Sequence, residues 1–268
     1  MDQELGKIRW EAKTARLNQE VLRNLASGPL YEDMAKCIGK RQLSLEATVR
    51  HIANTGASFS RFGDGELMTI FRPDYRLSFQ KRSEALVDSL LNVFSFGSNN
   101  LLIGFPNLYR DLHWTKIWSD IWVDVKPLFE PLGVIGNSHA SRPLFFSATG
   151  QAGVDLWRTV WEGKHVAVVT GEGSRFTAVP ALFDNVPKLD LIQSTSVDAY
   201  ESLETVKAEC LNHSADIFLI SLGPAATILS SELSKEGRQA IDVGHLASSF
   251  ENVFSGGEWP EAKAVSGT

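Results

Sequence analysis

Cysteine is nearly absent: Cys37 and Cys210 are the two in 268 residues, far apart and both within helical patterns. That excludes a disulfide framework and a cysteine-built zinc site, and it fits a reducing compartment. No stretch approaches the roughly 20 apolar residues that a membrane helix needs. The charged opening, MDQELGKIRWEAKTARLNQE, has no apolar signal core, so the expected location is the cytoplasm. Positive charge is not in excess either, the formal net charge being −6 at pH 7. A nucleic-acid partner is therefore not expected, because phosphate backbones select for a basic stripe. A small anion needs only two or three arginines and stays compatible with this balance. Internal repeats and low-complexity blocks are also missing.

What is present is ordinary for a globular chain, 43% hydrophobic and 22% charged residues. Residues 3–26 place Ile8, Ala12, Ala15, Val21, Leu22 and Leu25 among charges, an amphipathic helix expected to pack on the domain, with pairing to another subunit as the alternative. Two short helices are expected between Tyr31 and Asn54, the second capped by Ser44 and stopped by Gly56. Apolar runs then alternate with helical patterns. The strands are expected at Ser58–Phe62, Leu101–Phe105, Gly133–Gly136, His165–Thr170, Leu189–Gln193, Ile217–Leu222 and Ala240–Val243. Helices are read in SEALVDSLLNVF, AYESLETVKAECLNH and PAATILSSELSKEG, and Trp114, Trp118 and Trp122 form a core-facing helix stripe. This alternation predicts an α/β, Rossmann-like fold: a mostly parallel sheet with helices on both faces, plus an N-terminal helical extension. The boundaries drawn are a helical extension over 1–40, the α/β domain over 41–254 and a flexible tail over 255–268.

Ligands of such sheets bind beyond the carboxyl ends of the strands, and polar clusters fall there. Asp64-Gly65-Glu66 follows the first strand, with Arg61 just before it. In extended or turn geometry two residues separated by one can point the same way, and two carboxylates suit Mg²⁺ or Mn²⁺. The intervening Gly65 permits an unusual backbone and close approach of a ligand. The competing reading is a simple turn. Asn137, Ser138 and Arg142 follow another strand, and Gly171, Ser174 and Arg175 follow a third, where backbone N–H groups and a guanidinium suit a diphosphate. A dinucleotide fingerprint starting at Gly171 fails because Phe176 takes its third glycine position. GNSHA partly matches a nucleophile elbow, with Asp242 and His245 in the order of a serine hydrolase. Ala140 in the fifth position and the short Asp242–His245 spacing argue against it. His245 reads as a base, a metal ligand or a satisfied histidine, and Glu251 as a surface charge.

Taken together and in order, these blocks resemble the bacterial GT-D-type glycosyltransferases, a family first catalogued as a domain of unknown function. SRFGDGEL is similar to its R-F-G-D-G-E signature, and LSFQK, LLIGFPN, GNSHASR, VVTGEGSRF, LFDN and ISLGPAATILSSELSKEGRQAIDVGHLASSFE match further blocks between Ser58 and Phe254. The resemblance implies transfer of a sugar from a nucleotide-sugar donor, commonly a UDP-sugar, to a glycan or glycoconjugate acceptor. It implies a divalent metal, Mn²⁺ or Mg²⁺, on Asp64 and Glu66. Arg61, Gly65, Asn137, Ser138, Arg142, Gly171, Ser174, Arg175, Gly223 and Pro224 then become candidate contacts to the donor, and His245 and Glu251 the acceptor-side catalytic pair, with Glu251 as base. The alternative is a non-catalytic nucleotide-sugar-binding or scaffold protein. Pro143, Pro180, Ala181 and Asp198 depart from the family pattern, and Asp198 stands at a candidate nucleotide contact.

Overall fold

The computed structural model describes residues 2–95, 100–174 and 176–262. In chain order the helices are α1 (Asp2–Ala26), α2 (Gly28–Met34), α3 (Leu45–Thr55), α4 (Asp64–Phe71), α5 (Glu84–Ser95) and α6 (Leu112–Phe129). After these come α7 (Pro143–Thr149), α8 (Gln151–Trp161), α9 (Pro180–Phe183), α10 (Leu203–Asn212), α11 (Pro224–Lys235) and α12 (Leu246–Ser255). The strands are β1 (Ser58–Arg61), β2 (Leu101–Phe105), β3 (Gly136–Asn137), β4 (His165–Gly171), β5 (Lys188–Ser194), β6 (Ile217–Ser221) and β7 (Gln239–Asp242). All seven expected strands are present, in one sheet of order β3-β2-β1-β7-β6-β4-β5 whose pairs are all parallel.

Strand alternation divides the core. Phe59, Val166, Val168, Ile217, Leu219 and Ile241 pack with α3, α7, α8, α9 and α12 on one face. The other face meets α11, which lies on β1, β6 and β7 and beside α5 and α10. Here Ala225, Ala226, Ser230 and Ser231 are small enough to bring α11 close to the sheet, and the Ser60 hydroxyl donates to Thr227 O at 2.9 Å and pairs with Ser230 Oγ at 2.8 Å. The chain therefore leaves β4 toward one face, through α9, and β6 toward the other, through α11. Those two strands are neighbours, so their carboxyl ends bound a topological switch point.

Local signals behave as read. Ser44 Oγ accepts from Ala47 N at 3.1 Å, and Gly56 ends α3 in the left-handed region at φ 66°. The third strand is shorter than the expected Gly133–Gly136. Only Gly136 and Asn137 pair with β2, while Ile135 bridges to Gln42 and accepts from Leu43 N.

The chain divides into two compact units, and the division is not by chain order. One comprises Met1–Lys40 with Leu108–Glu130, and the other comprises Arg41–Asn107 with Pro131–Thr268. The segment drawn as an N-terminal extension thus shares its unit with α6, inserted between β2 and β3. Asp33 accepts from Trp122 Nε1 at 2.8 Å and from Lys126 Nζ, and the Tyr31 hydroxyl pairs with Thr115 Oγ1 at 3.0 Å. The stripe of Trp114, Trp118 and Trp122 is buried, with adjacent rings 5.8 and 6.4 Å apart. Helix α1 differs from the packing expectation: Ile8, Val21, Leu22 and Leu25 are all more than half exposed. The second unit contains the whole sheet. The last helix gives way to a segment from which Glu261 reaches an ion pair with Arg142.

Candidate active site

Strand β1 ends at Arg61, and the buried Phe62, stacked on Phe105 with centroids 5.3 Å apart, fixes the exit from the sheet. Gly63 then caps α4, so Asp64, Gly65 and Glu66 form the first turn of a helix, neither an extended segment nor a β-turn. The cause is the capping box, in which Glu66 Oε2 folds back to accept from Gly63 N at 2.8 Å. Side chains two apart on a helix diverge, which corrects the expectation of parallel carboxylates. Gly65 has ordinary helical backbone, and its nearest neighbour is Leu77, 3.5 Å from the place of a Cβ.

Burial and the repulsion of Arg61 draw the Arg142 guanidinium down to about 10, while Asp64 and Glu66 pull it back up. Burial, and then the neighbouring Asp242 carboxylate, push Glu66 up to about 7. A third carboxyl group, Asp242 at the end of β7, is only 3% exposed. It accepts from Arg61 Nε at 3.2 Å and from Gly244 N at 3.0 Å, and burial raises its pKa although Arg61 opposes the shift. Arg61 Nη1 also donates to Ser138 O at 2.8 Å. Gly244, at φ 47°, must lack a side chain, because a Cβ would fall on the Arg61 guanidinium. Arg61 therefore ties the ends of β1, β3 and β7 together.

The remaining residues divide into those that join this cluster and those that do not. Arg142 Nη1 lies 2.5 Å from His245 Nδ1. Arginine has donors only, so Nδ1 accepts and a neutral imidazole carries its proton on Nε2. His245 caps α12, and Glu251 lies six positions further on, about 9 Å along the helix axis. Asn137 is committed locally: its Oδ1 accepts from His139 N at 3.0 Å, and its own N donates to Thr48 Oγ1 at 2.9 Å. Ser138 is 3% exposed. With Asp242 engaged by Arg61 and His245 by Arg142, no hydrogen-bonded serine–histidine–aspartate relay is formed. Across the sheet, Gly171 lets the chain pass at Ser196, whose Cα would lie 2.8 Å from a Cβ there. Ser174 Oγ accepts from Thr170 Oγ1 and from Phe176 N. Gly223, at φ 56°, caps α11, and Pro224 opens it. Asp198 is left-handed at φ 52° and accepts from Lys81 N at 2.5 Å. Arg175 lies outside the described residues.

The family model of the glycosyltransferase GT-D fold matches residues 59–260, from the strand before the carboxylate turn to beyond α12. The chain belongs to the GT-D family. Glycosyltransferase GlyD of Streptococcus pneumoniae serotype 4 is 26% identical over 220 residues, covering 77% of this chain and 27% of that protein. A probable glycosyl transferase, Gly, of Streptococcus gordonii is 28% identical over 223 residues, covering 78% of this chain and 32% of its own length. The chain thus spans about a third or less of these relatives. Among solved structures, a domain of unknown function 1792 described as having a distinct glycosyltransferase fold superposes with TM-score 0.73 at 23% identity, covering 84% of each chain. A glycosyltransferase of the same domain type from Streptococcus sanguinis gives TM-score 0.69 at 25% identity, covering 81% of this chain and 85% of that one.

Asp64 and Glu66 on the first turn of α4, with Asp242 near enough to act on Glu66, offer carboxylate oxygens of the type that Mg²⁺ and Mn²⁺ take. These three do not form a three-ligand cluster among the described residues; the group that does is His165, Asp190 and His213, whose ligand atoms lie within 4.8 Å of one another. They lie at the opposite end of the sheet, and they are satisfied without an ion. His213 Nδ1 accepts from Ala215 N at 3.1 Å, so neutral His213 presents a proton at Nε2 toward Asp190. His165 Nε2 and Lys188 Nζ complete the shell of Asp190 at 2.6 and 2.8 Å. The sequence placed Asp242 at a strand end and weighed it in a hydrolase reading, but gave it no role and missed its hold on Arg61.

Proposed function

We propose that this GT-D chain is a metal-dependent glycosyltransferase that moves a sugar from a nucleotide-sugar donor, a UDP-sugar, to a glycan or glycoconjugate hydroxyl. The observation that supports the reading is the turn of α4 at the carboxyl edge of the sheet, which puts Asp64 and Glu66 on one helical turn directly after Arg61 and β1. In the reaction the acceptor oxygen bonds to the anomeric carbon while the carbon–oxygen bond to the diphosphate breaks. The hydroxyl proton goes to a base, and the electron pair leaves with the diphosphate. Mn²⁺ or Mg²⁺ held by Asp64 and Glu66 would neutralise that growing charge.

Arg142 stays protonated at neutral pH and supplies charge-assisted hydrogen bonds to phosphate. Arg61, with two nitrogens on Asp242 and Ser138, and Arg142, with two on His245 and Glu261, are both assigned to the donor phosphates. Gly223 and Pro224, at the start of α11, and Gly171 and Ser174, at the end of β4 and just beyond it, flank the switch point and are assigned to the donor, and Arg175 is assigned with them from the sequence. The bond from Arg142 leaves His245 a hydrogen-bond donor at Nε2, so Glu251 is the better base. No helix of the described residues is long and apolar enough to cross a membrane, and we assign the reaction to the cytoplasm.

The test is calorimetric titration of UDP with Mn²⁺ and then with EDTA, followed by donor turnover. Metal-dependent binding with turnover supports the assignment, and Glu251→Gln should then abolish transfer while retaining nucleotide. Binding without turnover of any donor would favour the non-catalytic reading, and absence of binding for UDP, GDP and dTDP would sink both.

A further inference from the structure

Residues 77–82 cross the carboxyl edge of the sheet between α4 and α5. Leu77 lies against Gly65, in the carboxylate turn. Two residues later the Phe79 ring lies over Gly223, where a Cβ would come 2.6 Å from ring carbon Cε2. The segment beneath that ring is tied at three points, two of them through its backbone and one through the Gln80 side chain. Phe79 O accepts from Asp198 N at 2.9 Å, Lys81 N donates to Asp198 Oδ1 at 2.5 Å, and Gln80, 4% exposed, accepts from Tyr200 N at 3.2 Å. Asp198 is the one described residue other than glycine with positive φ, so backbone strain is spent to hold this segment. The ring itself remains 40% exposed. A solitary exposed phenylalanine needs no explanation. One clamped at the switch point, two residues after the leucine that touches the carboxylate turn, has a rigid and desolvatable π-face beside the place assigned to the diphosphate.

We propose that Phe79 is the platform on which the nucleobase of the donor stacks, an inference that rests on the nucleotide-sugar reading above. Every base has a π-face and phenylalanine offers no hydrogen bond, so Phe79 supplies affinity for the base with little choice among bases. A face held in place before binding also loses little freedom when the base arrives.

The experiment compares the tightest of UDP, GDP and dTDP with inorganic pyrophosphate, all with Mn²⁺, in the wild-type chain, Phe79→Ala and Phe79→Trp. The nucleotide should bind the wild type more tightly than pyrophosphate does. Phe79→Ala should weaken the nucleotide by about five- to hundred-fold and leave pyrophosphate unchanged, and Phe79→Trp should restore the nucleotide. Unchanged nucleotide affinity in Phe79→Ala, or equal losses for both ligands, overturns the platform. A wild type that holds pyrophosphate as tightly as any nucleotide overturns the platform alone. A wild type that binds none of them overturns the nucleotide-sugar reading, and the platform falls with it.

Discussion

Asp242→Asn tests how the buried charge under the site is arranged. Thr227 has one hydroxyl proton, and its 2.7 Å bond to Arg61 O is shorter than its 3.3 Å approach to Asp242 Oδ2. Oδ2 therefore faces a lone pair unless Asp242 carries a proton, whereas Oδ1 faces the fixed charge of Arg61 at 3.2 Å. Burial favours the acid and Arg61 the carboxylate. We expect the carboxylate at pH 7.5, because Arg61 cannot discharge and its side chain is only 14% exposed. Asparagine would keep the shape and strand the guanidinium, costing about 3–5 kcal/mol. For a unit of this size that lowers the melting temperature by about 6–20 °C. Thermal unfolding followed by circular dichroism reads this directly, and Arg61→Met in the same chain should recover part of the loss. If Asp242→Asn stays within about 1 kcal/mol of wild type, asparagine is mimicking a protonated aspartate whose proton rests on Thr227, and the ion-pair argument is wrong.

Asp64→Ala and Glu66→Gln should each remove the metal dependence of UDP binding; calorimetry showing an undiminished response to EDTA in either variant would remove that residue from the metal site. Gly104→Ala drives a Cβ to 2.6 Å from Cζ of the fully buried Phe59 and should cost about 1–3 kcal/mol by overpacking. Adding Phe59→Leu should relieve part of that cost, and additive losses in urea unfolding would show that no clash existed. Burial, reinforced by Arg142 and Arg61, holds His139 down at about 3 against an ordinary 6.5. Above pH 6.5 both states are neutral there. As pH falls toward 3 the unfolded chain takes up the proton first, and stability drops by at most about 1.4 kcal/mol per pH unit from this residue. His139→Gln should flatten the acid limb of stability against pH, and an identical slope in the variant would contradict the shift.

The strands were legible because parallel strands buried on both faces are continuous apolar runs, and Ser44 and Gly56 mark α3 by their own chemistry. The start of α4 was not legible. Its cap, Gly63, has no side chain, so the capping signature showed only its glutamate, and glycine between two acids reads as a turn. The Arg61–Asp242 bracket joins residues 181 positions apart, and the hold of Asp198 on Phe79 joins two loops with no shared pattern. Periodicity carries no trace of either. For the same reason the relation of α6 to the first forty residues was hidden, since Asp33 and Trp122 meet across 89 positions.

That discontinuous unit imposes a schedule on synthesis. Met1–Lys40 emerges first, yet its partner segment begins at Leu108, about 70 residues and some 4–14 s later at ordinary elongation rates. During that wait Tyr31, Met34 and Ile38, each almost wholly buried in the finished protein, have no α6 to cover them. Assembly of that unit thus waits for α6, yet it can be complete before β3–β7 are made, and a chain stalled before Leu108 leaves these three side chains without their cover.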